Sequence, residues 1–400
     1  MASAGKPPPR PLDGITVVSL EHAVAAPFCT RQLADMGARV IKVERPGTGD
    51  FARGYDGRVR GMSSHFVWTN RSKESLTLDF KHPDGRCILE RLLATADVLV
   101  QNLAPGSAAR LGLSFEALHP GLPRLVVCDV SGYGAGGDYE YKKAYDLLIQ
   151  SESGFLSVTG TPEAPVKAGC SISDIAAGMY AYAGILNALL LRARTGEGSH
   201  VDVTMLESTV EWMGYPLYYA FDGAKPPART GAAHSTIYPY GPFPAGDGES
   251  IMLGLQNERE WQDFCKRVLR RPELAADPRF DSNARRSANR EALQGLIADA
   301  FAGSSAEALC RLLDEARIAN ARVNDMHQVW DHPQLRARGR WRTVGSPGGE
   351  LPALLPPASN SAFAPRMDPV PALGEHTASI LAELGCLPEE IDRLRESGVA

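Results

Sequence analysis

The sequence predicts an α/β protein: an open parallel sheet covered by helices, followed by a smaller α+β domain. Three observations predict it. Short β-branched runs alternate with helical stretches through the first third of the chain. A Pro/Gly-rich break at 221–229 (FDGAKPPAR) separates this region from one of different character. Between the two, at 166–194, a polar turn feeds into a long uncharged apolar run, VKAGCSISDIAAGMYAYAGILNALLLRAR.

Residues 15–20 (ITVVSL) read as a buried strand, 27–36 as a helix and 39–44 (RVIKVE) as a second strand. Strand, helix and strand at this spacing form a βαβ unit with parallel strands. The alternation continues with strand 76–80, helix 84–95, strand 97–103, a helical stretch at 105–119 and strand 124–130. Ligands are expected at the C-terminal strand ends of such a sheet. Residues 199–206 read as a further strand and 212–219 as an aromatic helix. Beyond the break, 237–243 and 250–256 read as a hairpin about Asp247-Gly248. Helices follow at 258–269, 286–301 and 305–316. Residues 345–364 form a Pro/Gly/Ser-rich return segment, and the chain ends in helical stretches at 375–383 and 388–396.

In the central stretch, Ser171, Ser173 and Asp174 stand just ahead of the apolar run, where side-chain oxygens accept from the free N–H groups of a helix's first turn. The uncharged run at 175–191 is short of the ~20 residues a bilayer span needs. Broken by Gly178, Gly184 and Asn187, it reads as a buried core helix packed closely on its small residues. Asp174 is then either a helix cap or a nucleophilic carboxylate kept ionised at the positive end of the helix.

The 400 residues are 44% hydrophobic and 22% charged, with net charge −5 and no Lys/Arg run, which argues against nucleic-acid binding. The start, MASAGKPPPRPLDG, lacks the apolar segment of a signal peptide and reads as a flexible arm. The seven cysteines are scattered and the nine histidines form no HExxH, so neither zinc site nor disulfide framework is indicated. A cytoplasmic, reduced, metal-free protein with no membrane partner is expected. The first strand is followed by EHAVAAPFCT, without the GxGxxG of dinucleotide folds. The loop SGYGAGGDYEY at 131–141 lacks the GK[ST] of a P-loop, but its glycines would let the backbone approach a ligand.

Segments along nearly the whole chain resemble the class III CoA-transferases, the family of formyl-CoA transferase, carnitine CoA-transferase and the α-methylacyl-CoA racemases. They are PLDGITVVSLEH, LADMGARVIKVERPGTGD, SKESLTLDFKHPDGR, ADVLVQNLAPGSAARLGL, KKAYD, SDIAAGMYAYAGIL, TGEGSHVDVTMLE and GEHTASILAELG. The resemblance implies a Rossmann-like large domain (1–220, completed by 345–400), a small domain (230–335) and a homodimer of interlocked chains. It places the catalytic aspartate at Asp174. It implies coenzyme A as substrate, contacted by His22, Ala23 and Ala25, with Arg45 near the adenine and phosphates. Asn102, Leu103, Arg110 and Lys143 complete that set. On the residues alone, each of these cations is equally well a solvated surface charge, and His22 a satisfied histidine.

A carboxylate of unperturbed pKa near 4 is ionised at neutral pH without a general base. Attack on a donor thioester would give a mixed anhydride and CoA thiolate, then an aspartyl-CoA thioester, then a second anhydride with the incoming acid. No ATP or metal is required, but water must be excluded.

Two departures narrow the reading. Racemases of this family carry a histidine before the aspartate of the segment matching Tyr145-Asp146, and here the residue is Tyr145. Formyl-CoA transferase has a run of glycines as a mobile lid, whereas the corresponding region reads RTGAAHSTIYPYGPF (229–243), against oxalate or formate chemistry. The stretches around 21–47, 50–79 and 234–243 look most like transferases acting on C4–C5 dicarboxylates such as itaconate, mesaconate or citramalate with succinyl-CoA. A distal carboxylate would need a cation, for which Arg53, Arg229 and His234 are candidates. Arg53 and Tyr55 match the family's active-site loop, and Tyr145 completes the expected substrate-binding set. Alternatives are intramolecular transfer between the C1 and C4 carboxyls of mesaconyl-CoA, racemisation, and non-catalytic binding of CoA thioesters.

Overall fold

The computed structural model describes residues 8–400. The first half of the expected N-terminal arm, residues 1–7, lies outside the described residues. The chain divides into two compact units. The first contains everything described up to Gly154 together with Ala168–Met213 and Leu335–Ala400. The second is Phe155–Lys167 with Gly214–Gln334. The break between them therefore falls at Gly214, not within the Pro/Gly-rich stretch 221–229. The segment Phe155–Lys167 also belongs to the second unit.

The first unit holds a parallel sheet of six strands: β1 (Thr16–Leu20), β2 (Arg39–Glu44), β3 (Lys73–Thr77), β4 (Val98–Gln101), β5 (Val126–Ser131) and β6 (His200–Thr204). Their order is β3-β2-β1-β4-β5-β6. Alternate residues serve opposite faces. Val17, Val40, Val98, Val126 and Cys128 pack with Ala177, Ala181 and Ile185 on one side. Val18, Ile41, Leu99 and Val127 pack with Leu89, Ile380, Ile391 and Leu394 on the other. A sheet covered on both faces explains why its strands read as near-continuous apolar runs.

β3 is the exception. The apolar pattern points to 76–80, but the strand starts at Lys73, because Lys73 and Ser75 are buried by polar pairing and not by hydrophobicity. The stretch 105–119 holds two short helices, Ser107–Arg110 and Phe115–Leu118, interrupted at Gly112 where φ is +62°.

The central helix runs Ile172–Thr195 and ends on Gly196 at φ +83°. Gly178 allows its close approach to helix α1 (Ala25–Asp35): a Cβ there would lie 2.7 Å from the Ala25 carbonyl oxygen. Only one face is buried, against the sheet and α1. Met179, Tyr180, Leu190 and Leu191 are exposed, so the helix is amphipathic in its packing and not a core helix on all sides. Its length and composition would also suffice to cross a membrane.

The second unit contains the antiparallel strands β7 (Tyr240–Pro244) and β8 (Ser250–Gly254), joined through Gly248 at φ +84°. A third strand, β9 (Ala319–Arg322), pairs with β8 and was not evident from the sequence. Trp261, Phe264, Phe280, Leu293 and Phe301 form this unit's own core. In the first unit, β10 (Trp341–Val344), just before the return segment, and β11 (Leu351–Leu354), within it, make a hairpin.

Candidate active site

In a sheet of order 3-2-1-4-5-6 the connections leave β1 and β4 in opposite directions, opening a crevice beyond their C-terminal ends. His22 follows β1 and Asn102 follows β4. The His22 N–H donates to Asn102 Oδ1 at 2.9 Å, and Asn102 Nδ2 donates to the His22 carbonyl oxygen at 2.9 Å. The Asn102 carboxamide is thus committed to the His22 backbone and is not a free ligand contact. Leu103 is likewise packed against the sheet core. Burial, with Lys42 and Arg45 nearby, holds the His22 imidazole below its usual pKa. Its Nδ1 is buried without a hydrogen-bond partner, and its ring stacks on Phe51 at 5.4 Å.

Ala23 adopts φ +61°, a left-handed conformation that costs an L-residue about 1 kcal/mol or more. Its N–H is held by Asp50 Oδ1 at 3.1 Å, and the same oxygen accepts from Ala52 N–H at 2.9 Å. The other Asp50 oxygen accepts from Lys42 Nζ at 2.8 Å. Beneath lies a buried cluster in which Lys73 pairs with Glu21 at 2.7 Å, and Lys42 with Glu21 at 3.4 Å. Burial alone would raise the Glu21 carboxyl, but the two ammonium groups outweigh it and hold it low. Burial pushes Lys73 down to about 8. Ala25 is buried at the start of α1. Arg45, Arg110 and Lys143 are exposed. Arg110 donates to Ser107 Oγ at 2.8 Å and borders Tyr141.

Asp174 lies in the first turn of the central helix, as the sequence indicates, but it does not cap it. The cap is Asp146, at the start of helix Asp146–Glu152. Asp146 Oδ1 accepts from the Ser173 N–H at 2.8 Å and the Asp174 N–H at 3.3 Å, while Gln150 Nε2 donates to Oδ2 at 2.6 Å. The N–H groups that would stabilise a carboxylate on residue 174 are therefore spent on a second carboxylate. Burial, then the Asp146 charge, push Asp174 up to about 7. This corrects the expectation of a group fully ionised at neutral pH through the helix dipole.

Tyr145 directly precedes Asp146, which accepts from the Asp174 N–H. Burial raises the Tyr55 phenol, and the Asp50, Asp174 and Tyr145 charges add to the effect. Tyr145 is 68% exposed. From His22 an aromatic row continues through Phe51 to Tyr55 at 5.7 Å, and Tyr55 meets His65 edge-on at 5.3 Å.

The three residues considered for a distal carboxylate each have protein partners. Arg53 Nε and Nη2 each donate to Glu44 at 2.8 Å, Nη1 reaches the Pro371 carbonyl at 3.3 Å, and the guanidinium lies 3.7 Å over the Phe66 ring. Arg229 and His234 belong to the second unit and have structural duties there. Arg229 donates to the carbonyls of Thr161 and Pro162 at 2.9 and 3.1 Å. His234 Nδ1 accepts from Thr236 and Ile237 N–H, and its ring stacks on Tyr240 at 5.2 Å. Asp146, Asp50 and the Asp56–His65 pair were missed. The only sequence signal was the polar spacing of GDFARGYDG and the Asp opening the helix after Tyr145.

Among the described residues no group of three or more His, Cys, Asp or Glu is placed to hold a metal ion. What the first unit offers is a half-buried carboxylate at a helix start and, at the strand ends, a backbone loop fixed from two sides.

Residues 12–377 match the family model described as CoA-transferase family III. The chain belongs to that family. This CoA-transferase is 34% identical over 396 residues to the succinyl-CoA:glutarate CoA-transferase of Mus musculus, covering 98% of this chain and 90% of that protein. It is 36% identical over 333 residues to the acetyl-CoA:oxalate CoA-transferase of Acetobacter aceti, covering 83% and 85%. Among solved structures it is similar to a CAIB/BAIF family protein from Brucella suis, with TM-score 0.83, 34% identity and coverage of 94% and 99%. The CoA-transferase thus has the Rossmann-like strand order that the resemblance implied.

Proposed function

We propose that this CoA-transferase moves CoA from succinyl-CoA or a related acyl-CoA to a C4–C5 dicarboxylic acid, with Asp174 as nucleophile. One observation carries the reading: in a family III chain, Asp174 stands half-buried in the first turn of the central helix, its N–H on Asp146 and its charge felt by Tyr55. An Asp174 carboxylate oxygen attacks the donor carbonyl carbon, the C–S bond breaks, and CoA leaves as thiolate from a mixed anhydride. The thiolate attacks the Asp174 acyl carbon and expels the donor acid, leaving an aspartyl-CoA thioester. The acceptor carboxylate then displaces the thiolate, forming a second anhydride. Attack of the thiolate on the acceptor acyl carbon forms the product and frees Asp174. The activated acyl group is conserved throughout, so no external energy source enters.

The loop His22–Ala25 and its clamp at Asn102 and Asp50 support binding of CoA by backbone groups. Exposed Arg45, Arg110 and Lys143 supply charge for its phosphates. The exposed apolar face of the central helix supports a homodimer, which sedimentation of the purified protein tests.

The relatives named for glutarate and oxalate support a dicarboxylate acceptor. Glutarate ranks beside mesaconate and itaconate, and oxalate rejoins the set despite the missing glycine run. The test offers succinyl-CoA with isotopically labelled glutarate, mesaconate, itaconate and oxalate, and follows new thioesters by mass spectrometry. Labelled thioester from a dicarboxylate supports the proposal. Transfer to no free acid would overturn it, and would leave intramolecular transfer.

A further inference from the structure

With Arg53 locked to Glu44, the distal carboxylate of a dicarboxylate needs another reader. We infer that His65, backed by Asp56, is that reader: its Nε2 donates to the far carboxylate of an acid whose near carboxylate reacts at Asp174. The inference rests on the CoA-transferase reading and adds the residue that selects dicarboxylates.

Position is the first support. An unbroken row of ring contacts runs from His22 at the strand ends through Phe51 and Tyr55 to His65, which meets the Tyr55 ring edge-on at 5.3 Å, and Tyr55 is the ring that feels the Asp174 charge. The exposed rings of Phe51 and Tyr55 give the methylene chain between the two carboxylates an apolar track.

Chemistry is the second. Asp56 Oδ1 accepts from the Arg58 N–H at 2.9 Å and the Ser64 N–H at 3.0 Å, and Oδ2 accepts from Ser64 Oγ at 2.7 Å. Those bonds hold its carboxyl well below the usual range. His65 Nδ1 faces this carboxylate at 3.4 Å. With the Nδ1 proton directed at Asp56, donation from Nε2 requires the imidazolium, the form that attracts a carboxylate. The histidine side chain is 42% exposed, so a ligand can reach it.

Arg58 is the rival. Its side chain is exposed, whereas His65 is the group in ring contact with Tyr55.

The experiment measures kcat/KM for two acceptors, glutarate and its monocarboxylate counterpart pentanoate, with succinyl-CoA as donor. In a double-displacement reaction this parameter reports the acceptor half alone. His65→Gln is expected to lower the glutarate-to-pentanoate ratio at least 10-fold while pentanoate transfer stays within 2-fold, as loss of one charged hydrogen bond implies. His65→Arg, which restores a cation, is expected to recover most of the ratio. Equal losses for both acids, an unchanged ratio, or a ratio that collapses in Arg58→Ala but not in His65→Gln would each overturn the assignment. A wild-type protein that transfers CoA to neither acid would instead overturn the transferase reading itself.

Discussion

Arg53 and Glu44 are joined by two parallel hydrogen bonds of 2.8 Å each, and Ser75 Oγ donates to the same carboxylate at 2.6 Å. Glu44 is buried, and its carboxyl is pushed down to about 2: burial raises it, but Arg53 and Lys42 prevail. Removing the guanidinium leaves that buried carboxylate with Ser75 Oγ and the Asp50 N–H but without its ion-pair partner. Arg53→Ala is therefore expected to destabilise the fold by ~2–4 kcal/mol and to lower transfer to glutarate and pentanoate in parallel. Thermal unfolding with the two-acceptor assay checks it; a selective loss of glutarate transfer at unchanged stability would return Arg53 to the substrate.

Asp174→Ala should lower CoA transfer roughly 1,000-fold or more, as loss of a covalent nucleophile does. Wild-type protein incubated with donor and then hydroxylamine should carry a hydroxamate at residue 174, detectable by peptide mass spectrometry. Transfer at the parental rate in the alanine variant would remove Asp174 from the mechanism.

The pH dependence follows from the burial of Asp174 and the Asp146 charge next to it. Attack needs the ionised form, so kcat/KM for the donor should fall as pH drops through about 7. Asp146→Asn keeps an acceptor for the helix N–H groups and removes the like charge, so the acid limb should move to lower pH. A limb that does not move rules out Asp146 as its cause.

The same carboxyl affects stability. Its folded pKa lies above the unfolded value, so the contribution of the neutral form is complete below about pH 4 and is lost as pH rises through about 7. Asp174→Asn should therefore raise the melting temperature at pH 8 and leave it nearly unchanged at pH 4. Calorimetry at the two pH values decides; the opposite ordering would contradict the raised pKa.

Asn102→Ala frees both backbone groups of His22. KM for the CoA thioester should rise roughly 10-fold, the effect of ~1–2 kcal/mol in lost ordering, with kcat less affected. An unchanged KM would mean that the His22–Ala25 loop holds its shape without the clamp.

Where local pattern and tertiary demand agree, the sequence reads directly. β2 at Arg39–Glu44 and the last helix, Pro388–Glu396, fall where expected. β3 does not, because Lys73 is buried by pairing with Glu21, a residue 52 positions earlier that no local window contains. The second strand of the β10–β11 hairpin and its turn sit in a stretch whose prolines and glycines read as loop. Asp174 was legible because a helix start has a local signature. Asp146 was not, because the N–H groups it binds lie 27 and 28 residues further on. Arg53 was legible as a charge but not as a partner of Glu44, since a cation's spacing says nothing of which carboxylate the fold brings beside it.

Asp50 holds the segment of Ala23 and that of Ala52 with one oxygen, and Lys42 locks the other. The loop proposed to hold the coenzyme and the residues proposed to face the acid therefore share a single fixed joint. Neither can be retuned by loop movement without disturbing the other. New acid preferences in this scaffold would then arise from side-chain replacements along residues 51–65, with the coenzyme's seat left as it is.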